Sequence, residues 1–190
     1  MARPEDARAA TVKLLKTIRL DASDTFVFER AAEPGEWAVT GTFAFADADP
    51  AMLQGKERSA FRSGFLGVSS FGWSTLVQIV ETDADGRADA VEQLAQRLVE
   101  IYGAPNMEAA RAAADEELTF AESLCDHEPD TLVALHRTAD GGEIREAFRT
   151  LKPRADRKTF RAFAFMDVEG EDDEPGERVD LVNLAQGERK

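Results

Sequence analysis

Thr131-Leu-Val-Ala-Leu-His-Arg-Thr138, then Ala139-Asp-Gly-Gly142, then Glu143-Ile-Arg-Glu-Ala-Phe-Arg-Thr-Leu151 is the passage that settles the class of fold. Two runs rich in apolar and β-branched residues flank a glycine pair, the signature of a tight antiparallel hairpin. Two registers compete. A Gly141-Gly142 loop sets Arg137 opposite Glu146 and Leu135 opposite Phe148, whereas an Asp140-Gly141 loop sets Leu135 opposite Glu146. Cross-strand pairing favours the first, which matches unlike charges and joins apolar to apolar.

Working outward, Phe160–Val168 adds a third strand to make a meander, after a basic loop. Upstream lie two helices in succession. From about Arg87, Val91, Leu94, Leu98 and Ile101 recur at helical spacing until Gly103 and Pro105 stop the run. Asn106 then caps a helix whose stripe is Met107, Ala110, Ala114, Leu118, Ala121 and Cys125. Before them, Phe71, Trp73, Thr75, Val77 and Ile79 alternate in a long strand over about 71–81, with glycines marking a bend ahead of it. Asp49-Pro50 opens a helix to about Arg62. Thr25–Arg30 and Trp37–Phe45 each read with period two around Ala32-Glu-Pro-Gly-Glu36, an N-terminal hairpin, and Lys16–Leu20 is a short strand or the end of an arm. This order argues an α+β fold: a mostly antiparallel sheet, built from the N-terminal hairpin, the central strand and the C-terminal meander, with two to three helices on one face. The expected organisation is an arm over 1–15, one domain over 16–168 and an acidic, disordered tail over 169–190.

The chain of 190 residues carries 37 acidic against 23 basic side chains, a formal charge of −14. So negative a surface disfavours nucleic acid and anionic lipid as partners. The lone Cys125 forms no internal disulfide, the N-terminus lacks the apolar run of a secretory signal, and no segment is long and apolar enough to span a bilayer, so a cytoplasmic setting is expected. Charge is uneven along the chain: residues 151–166 hold five basic side chains against Asp156 alone, just before the acidic tail.

The sharpest motif is Glu81-Thr-Asp83-Ala-Asp85-Gly86-Arg87-Ala-Asp89-Ala-Val-Glu92. Its oxygens stand at positions 1, 3, 5, 9 and 12 of a calcium loop, with glycine at 6. Against calcium stand the strand that enters the loop, Glu rather than Asp at position 1, and Ala at position 8. The competing reading is a run of carboxylates favoured by the start of the following helix. Glu81, Asp83, Asp85 and Glu92 are the candidate ligands. Cys125-Asp-His127 has too few companions for a zinc site, and Cys125 reads as a buried stripe residue. Gly67-Val-Ser-Ser-Phe-Gly72 precedes a strand where a nucleophile elbow needs a helix, and no phosphate loop is present. A triad would have to recruit His127 or His136 from unrelated segments. The rival to a binding domain is an enzyme or metal-dependent module using Asp83, Asp85 and Glu92, or His136 with Arg145 and Arg149. Arg145 and Arg149, which share a strand face, and His136 are the candidate contacts for an anion or an acidic partner.

Lys16–Arg30, Gly64–Leu76 and Arg145–Leu151 together resemble an uncharacterised family of alphaproteobacterial proteins of similar length. That resemblance covers most of the chain but the tail and implies no activity or catalytic residue. The expectation is a non-catalytic domain that binds a protein partner or small ligand, as a monomer or a homodimer. The alternatives are an accessory factor in maturing a molybdenum or iron–sulfur oxidoreductase, which the resemblance implies, and a calcium module using 81–92.

Overall fold

The computed structural model describes residues 11–152 and 167–169. Among these residues eight antiparallel strands form one sheet: β1 (Val12–Ile18), β2 (Trp37–Val39), β3 (Phe65–Gly67), β4 (Trp73–Ser74), β5 (Leu76–Thr82), β6 (Leu132–Asp140), β7 (Glu143–Lys152) and β8 (Asp167–Glu169). Their spatial order is β4-β3-β2-β1-β5-β6-β7-β8. Four helices accompany them, α1 (Ser23–Val27), α2 (Gly55–Ser63), α3 (Ala84–Tyr102) and α4 (Met107–Ser123), with a 3-10 turn at Thr42–Phe45. The fold is α+β, with an antiparallel sheet.

The β6–β7 hairpin takes the register favoured by side-chain pairing, with Arg137 opposite Glu146 and Leu135 opposite Phe148. Gly141 and Gly142 both hold positive φ, 59° and 86°, as a two-residue loop that follows the twist of its strands requires. The two long helices also follow their patterns. Asp83 caps α3 by accepting from the Gly86 N–H at 2.9 Å, Gly103 ends it at φ 65°, and Asn106 caps α4 by accepting from Ala109 at 2.8 Å. Leu94 and Leu98 on α3 and Ala110, Ala114, Leu118 and Ala121 on α4 enter the main core with Leu15, Ile79 and Val133. Ile101, expected in the stripe, is half exposed. Arg87 bonds both Asp115 and Glu122, and Arg111 bonds Glu92, so the two helices are tied along their outer faces.

The first third of the chain departs from the alternation. The expected hairpin of Thr25–Arg30 with Trp37–Phe45 does not form. Residues 23–27 make one helical turn that leaves Phe26 exposed and is held from outside: buried Asp24 accepts from the Thr75 N–H at 3.2 Å and from the Thr75 hydroxyl. Strand β2 stops at Val39 because Gly41 turns left-handed, φ 72°, where a Cβ would lie 2.5 Å from that of Leu66. Beyond it Phe43 and Phe45 continue in a 3-10 turn. The partner of β2 is β1, which starts at Val12 and has Leu14 and Leu15 wholly buried, so residues 12–15 belong to the domain rather than to an arm. The long strand over 71–81 is broken at Thr75 into β4 and β5, and α2 starts at Gly55, while Asp49 caps only a turn by accepting from Ala51. Of the third meander strand, Asp167–Glu169 pairs with β7. Residues 160–166, the basic side chains from Arg154 to Arg161 and the tail from 170 lie outside the described residues.

The sheet curls strongly. Phe65 on β3 and Phe148 on β7 are five strands apart in the sheet order, about 24 Å if the sheet were flat. Their rings lie 6.4 Å apart.

Candidate functional site

Where the curled sheet closes, Arg137 of β6 is 1% exposed. Its Nε donates to Glu146 Oε1 at 2.7 Å and to Thr42 Oγ1 at 3.1 Å. One terminal nitrogen donates to the Phe61 and Gly64 carbonyls at 3.0 and 2.9 Å, and the other to the Thr40 carbonyl. The guanidinium thus joins the end of β2, the last turn of α2 and the β6–β7 hairpin. It also supplies donors to helix-end carbonyls that have no partner within α2. Burial draws the Arg137 pKa down and Glu146 draws it back up. Glu117 of α4 faces the same cluster. Burial first, then the negative charge of Glu146, pushes its carboxyl up to about 7, with Arg137 pulling the other way. Sequence reasoning paired Arg137 with Glu146 but missed Glu117. Its signal is phase: position 117 falls among Ala114, Leu118 and Ala121, the buried side of α4.

The outer face of the hairpin gathers the three candidate anion contacts. In the register Thr138 lies opposite Arg145, His136 opposite Ala147 and Ala134 opposite Arg149. His136 is therefore diagonal to both arginines, roughly 7–8 Å away by backbone spacing. All three side chains are exposed. Arg145 holds Glu143 at 3.3 Å in a pair open to water, worth little.

His136 also borders a cleft of about 500 Å³ between α2 and the end of β6. Arg58 and Arg62, one helical turn apart, line its α2 side with Phe61, and Asp49 is the one carboxylate that lines it among the described residues. Arg145 and Arg149 are not part of it. Neither Arg58 nor Arg62 has an ion-pair partner among the described residues. In the sequence these two read only as a charged helix face. Opposite them runs the edge of β6, which pairs with β5 only through Ala134 and has no strand beyond that point among the described residues.

The calcium-type loop over 81–92 is not the shape the chain adopts. Glu81 and Thr82 finish β5, and everything from Ala84 is helix, because the Asp83 cap starts α3 inside the motif. Asp83 is occupied with Gly86 and Glu92 with Arg111. Among the described residues no three His, Cys, Asp or Glu side chains gather as a metal site. Cys125 is buried, donates to the Ala121 carbonyl at 3.3 Å, and has its thiol pushed up to about 12 by burial, which removes it as a nucleophile. None of the described helices is long and apolar enough to cross a membrane.

A curled antiparallel sheet clasped by a buried arginine, with a cleft beside the clasp lined by two exposed arginines, defines an α+β fold. Residues 12–169 match the model of the family of unknown function DUF6505, and the chain belongs to that family. No curated protein and no solved structure matches it.

Proposed function

We propose that this is a non-catalytic binding domain that takes an anionic group, on a partner protein or a small ligand, at the outer face of the β6–β7 hairpin. The observation that carries this reading is the register, which sets His136 diagonally between Arg145 and Arg149 on one exposed face. A guanidinium pair with an imidazole between them is a donor-rich surface suited to carboxylate or phosphate. Chemical crosslinking in cells that express the protein, comparing the full chain with its R145E/R149E variant, tests it. Species captured by the wild type and lost from the variant support this surface. An identical set captured by both overturns it.

A further inference from the structure

The cleft between α2 and β6 carries a more specific assignment. Ladder alternation fixes which main-chain groups face it. Asp140 and Glu143 flank the two-residue loop as a hydrogen-bonded pair, so His136 and Thr138 direct their N–H groups to β7, whereas Arg137 and Ala139 direct theirs to the opposite edge. Among the described residues no strand occupies that edge, since β5 has already ended its pairing at Ala134. The cleft lies along it. Across the gap stand Arg58 and Arg62, exposed and without ion-pair partners among the described residues. Positions i and i+4 place the roots of their side chains about 6 Å apart, close enough for both forks to grip one group.

We infer that this cleft is a binding site for a small phosphate monoester. Two unpaired guanidiniums match the roughly −2 charge of a phosphate ester, where a carboxylate would offer half of it. The Ala139 N–H adds a neutral donor for a further oxygen. Arg137 contributes no competing charge, because Glu146 neutralises it from behind. A cleft of about 500 Å³ holds a small organic molecule rather than a bare ion. Asp49 has one oxygen held by the Ala51 N–H, which leaves the other to accept from a hydroxyl of the ligand. This goes beyond the reading above: the cleft is a second surface beside the hairpin face, and only His136 borders both.

Thermal melting and calorimetric titration of the full chain with glucose 6-phosphate, ribose 5-phosphate, glycerol 3-phosphate and glucose, all against sodium chloride at matched ionic strength, test the assignment. At least one phosphate ester is expected to raise the melting temperature saturably, while glucose and chloride do not. R58Q and R62Q should each weaken that binding about tenfold, the loss of one charge-assisted contact. Both residues are exposed, so melting without ligand should be unchanged, which separates loss of binding from loss of folding. In amide NMR spectra the Ala139 signal should move with the ester. Absence of a saturable effect from all three esters overturns the inference, and so does undiminished binding by both variants. If R145Q/R149Q abolishes ester binding while R58Q and R62Q retain it, the anion sits on the hairpin face: the inference falls and the functional reading stands. If R58Q and R62Q lose the ester while R145E/R149E captures the same partners as wild type, the reverse holds.

Discussion

Arg137 Nε and Glu146 Oε1 lie 2.7 Å apart across the β6–β7 hairpin, and the arginine is the more deeply buried of the two. A buried ion pair is rarely a large net source of stability, because desolvation offsets most of the attraction. Here the guanidinium has a second task, satisfying carbonyls at the end of β2 and in the last turn of α2. Its removal strands all of them together.

Arg137→Ala is therefore expected to cost about 3–5 kcal/mol, the range for breaking a buried pair. Glu146→Gln keeps an acceptor at the same position and should cost clearly less. Urea denaturation of the two variants beside wild type measures the difference. Equal losses would mean that the charge of Glu146, rather than the contacts of Arg137 to α2 and Thr40, dominates.

Stability should fall as pH rises from about 4.5 to about 7. The Glu117 carboxyl is held at about 7 in the folded chain against an ordinary value of 4.5. The native state thus binds the proton more tightly than the unfolded state, and its advantage is lost between those two values. The part of the slope due to Glu117 is about 2 kcal/mol, the linkage value reduced for partial exposure. Glu117→Gln should remove this part, leaving the variant more stable than wild type at pH 8 and close to it at pH 4.5. Chemical denaturation at both pH values reads the crossover, and an unchanged slope would refute the assignment.

Millimolar calcium is expected to leave the melting temperature unchanged. The carboxylates over 81–92 are divided between a strand end, a helix cap and an ion pair with Arg111. A cation bound only by the native state would have to stabilise it, so a saturable rise with calcium over magnesium would contradict the geometry described.

Gly41→Ala should be among the more damaging single-methyl changes in the chain. Its positive φ alone costs about 1–3 kcal/mol for a residue with a Cβ, and the added carbon would press on Leu66. An alanine at Gly35, which also has positive φ but open space around it, should be the milder of the two. Comparing the unfolding midpoints of G41A and G35A separates the clash from the backbone term.

These expectations show which parts of the molecule sequence alone discloses. The paired helices are legible because spacing agrees with the stop signal at Gly103 and the cap at Asn106, although spacing alone starts α3 near Arg87 and its Asp83 cap is hidden inside the calcium-like motif. The hairpin register is legible because one alignment pairs Arg137 with Glu146 and Leu135 with Phe148, and the other does not. The N-terminal third is opaque. Trp37, Val39, Phe43 and Phe45 keep their alternation straight through Gly41, and only the approach of Leu66 shows that the strand has ended. Phe26 and Phe28 alternate equally well, yet Asp24, held by Thr75 about fifty residues on, winds them into a turn. The cleft is hidden for a related reason. Arg58 and Arg62 are recognisable as neighbours on a helix, but the bare strand edge facing them depends on where β5 stops pairing with β6.

The sheet order also has a consequence for how the chain must assemble. Strand β1 stands near the middle of the sheet, yet its longer partner is β5, with Ile18 paired to Leu76 and Val12 to Thr82. The Arg137 clasp reaches back farther still, to Thr40. Contacts of such sequence separation require large loops to close before they contribute, which places this topology among the slower-folding kinds. A nascent chain ending before residue 76 would present one flank of β1 unpaired, open to association with other strands. Synthesis must therefore reach β5, more than fifty residues past the end of β1, before β1 can be enclosed on both sides.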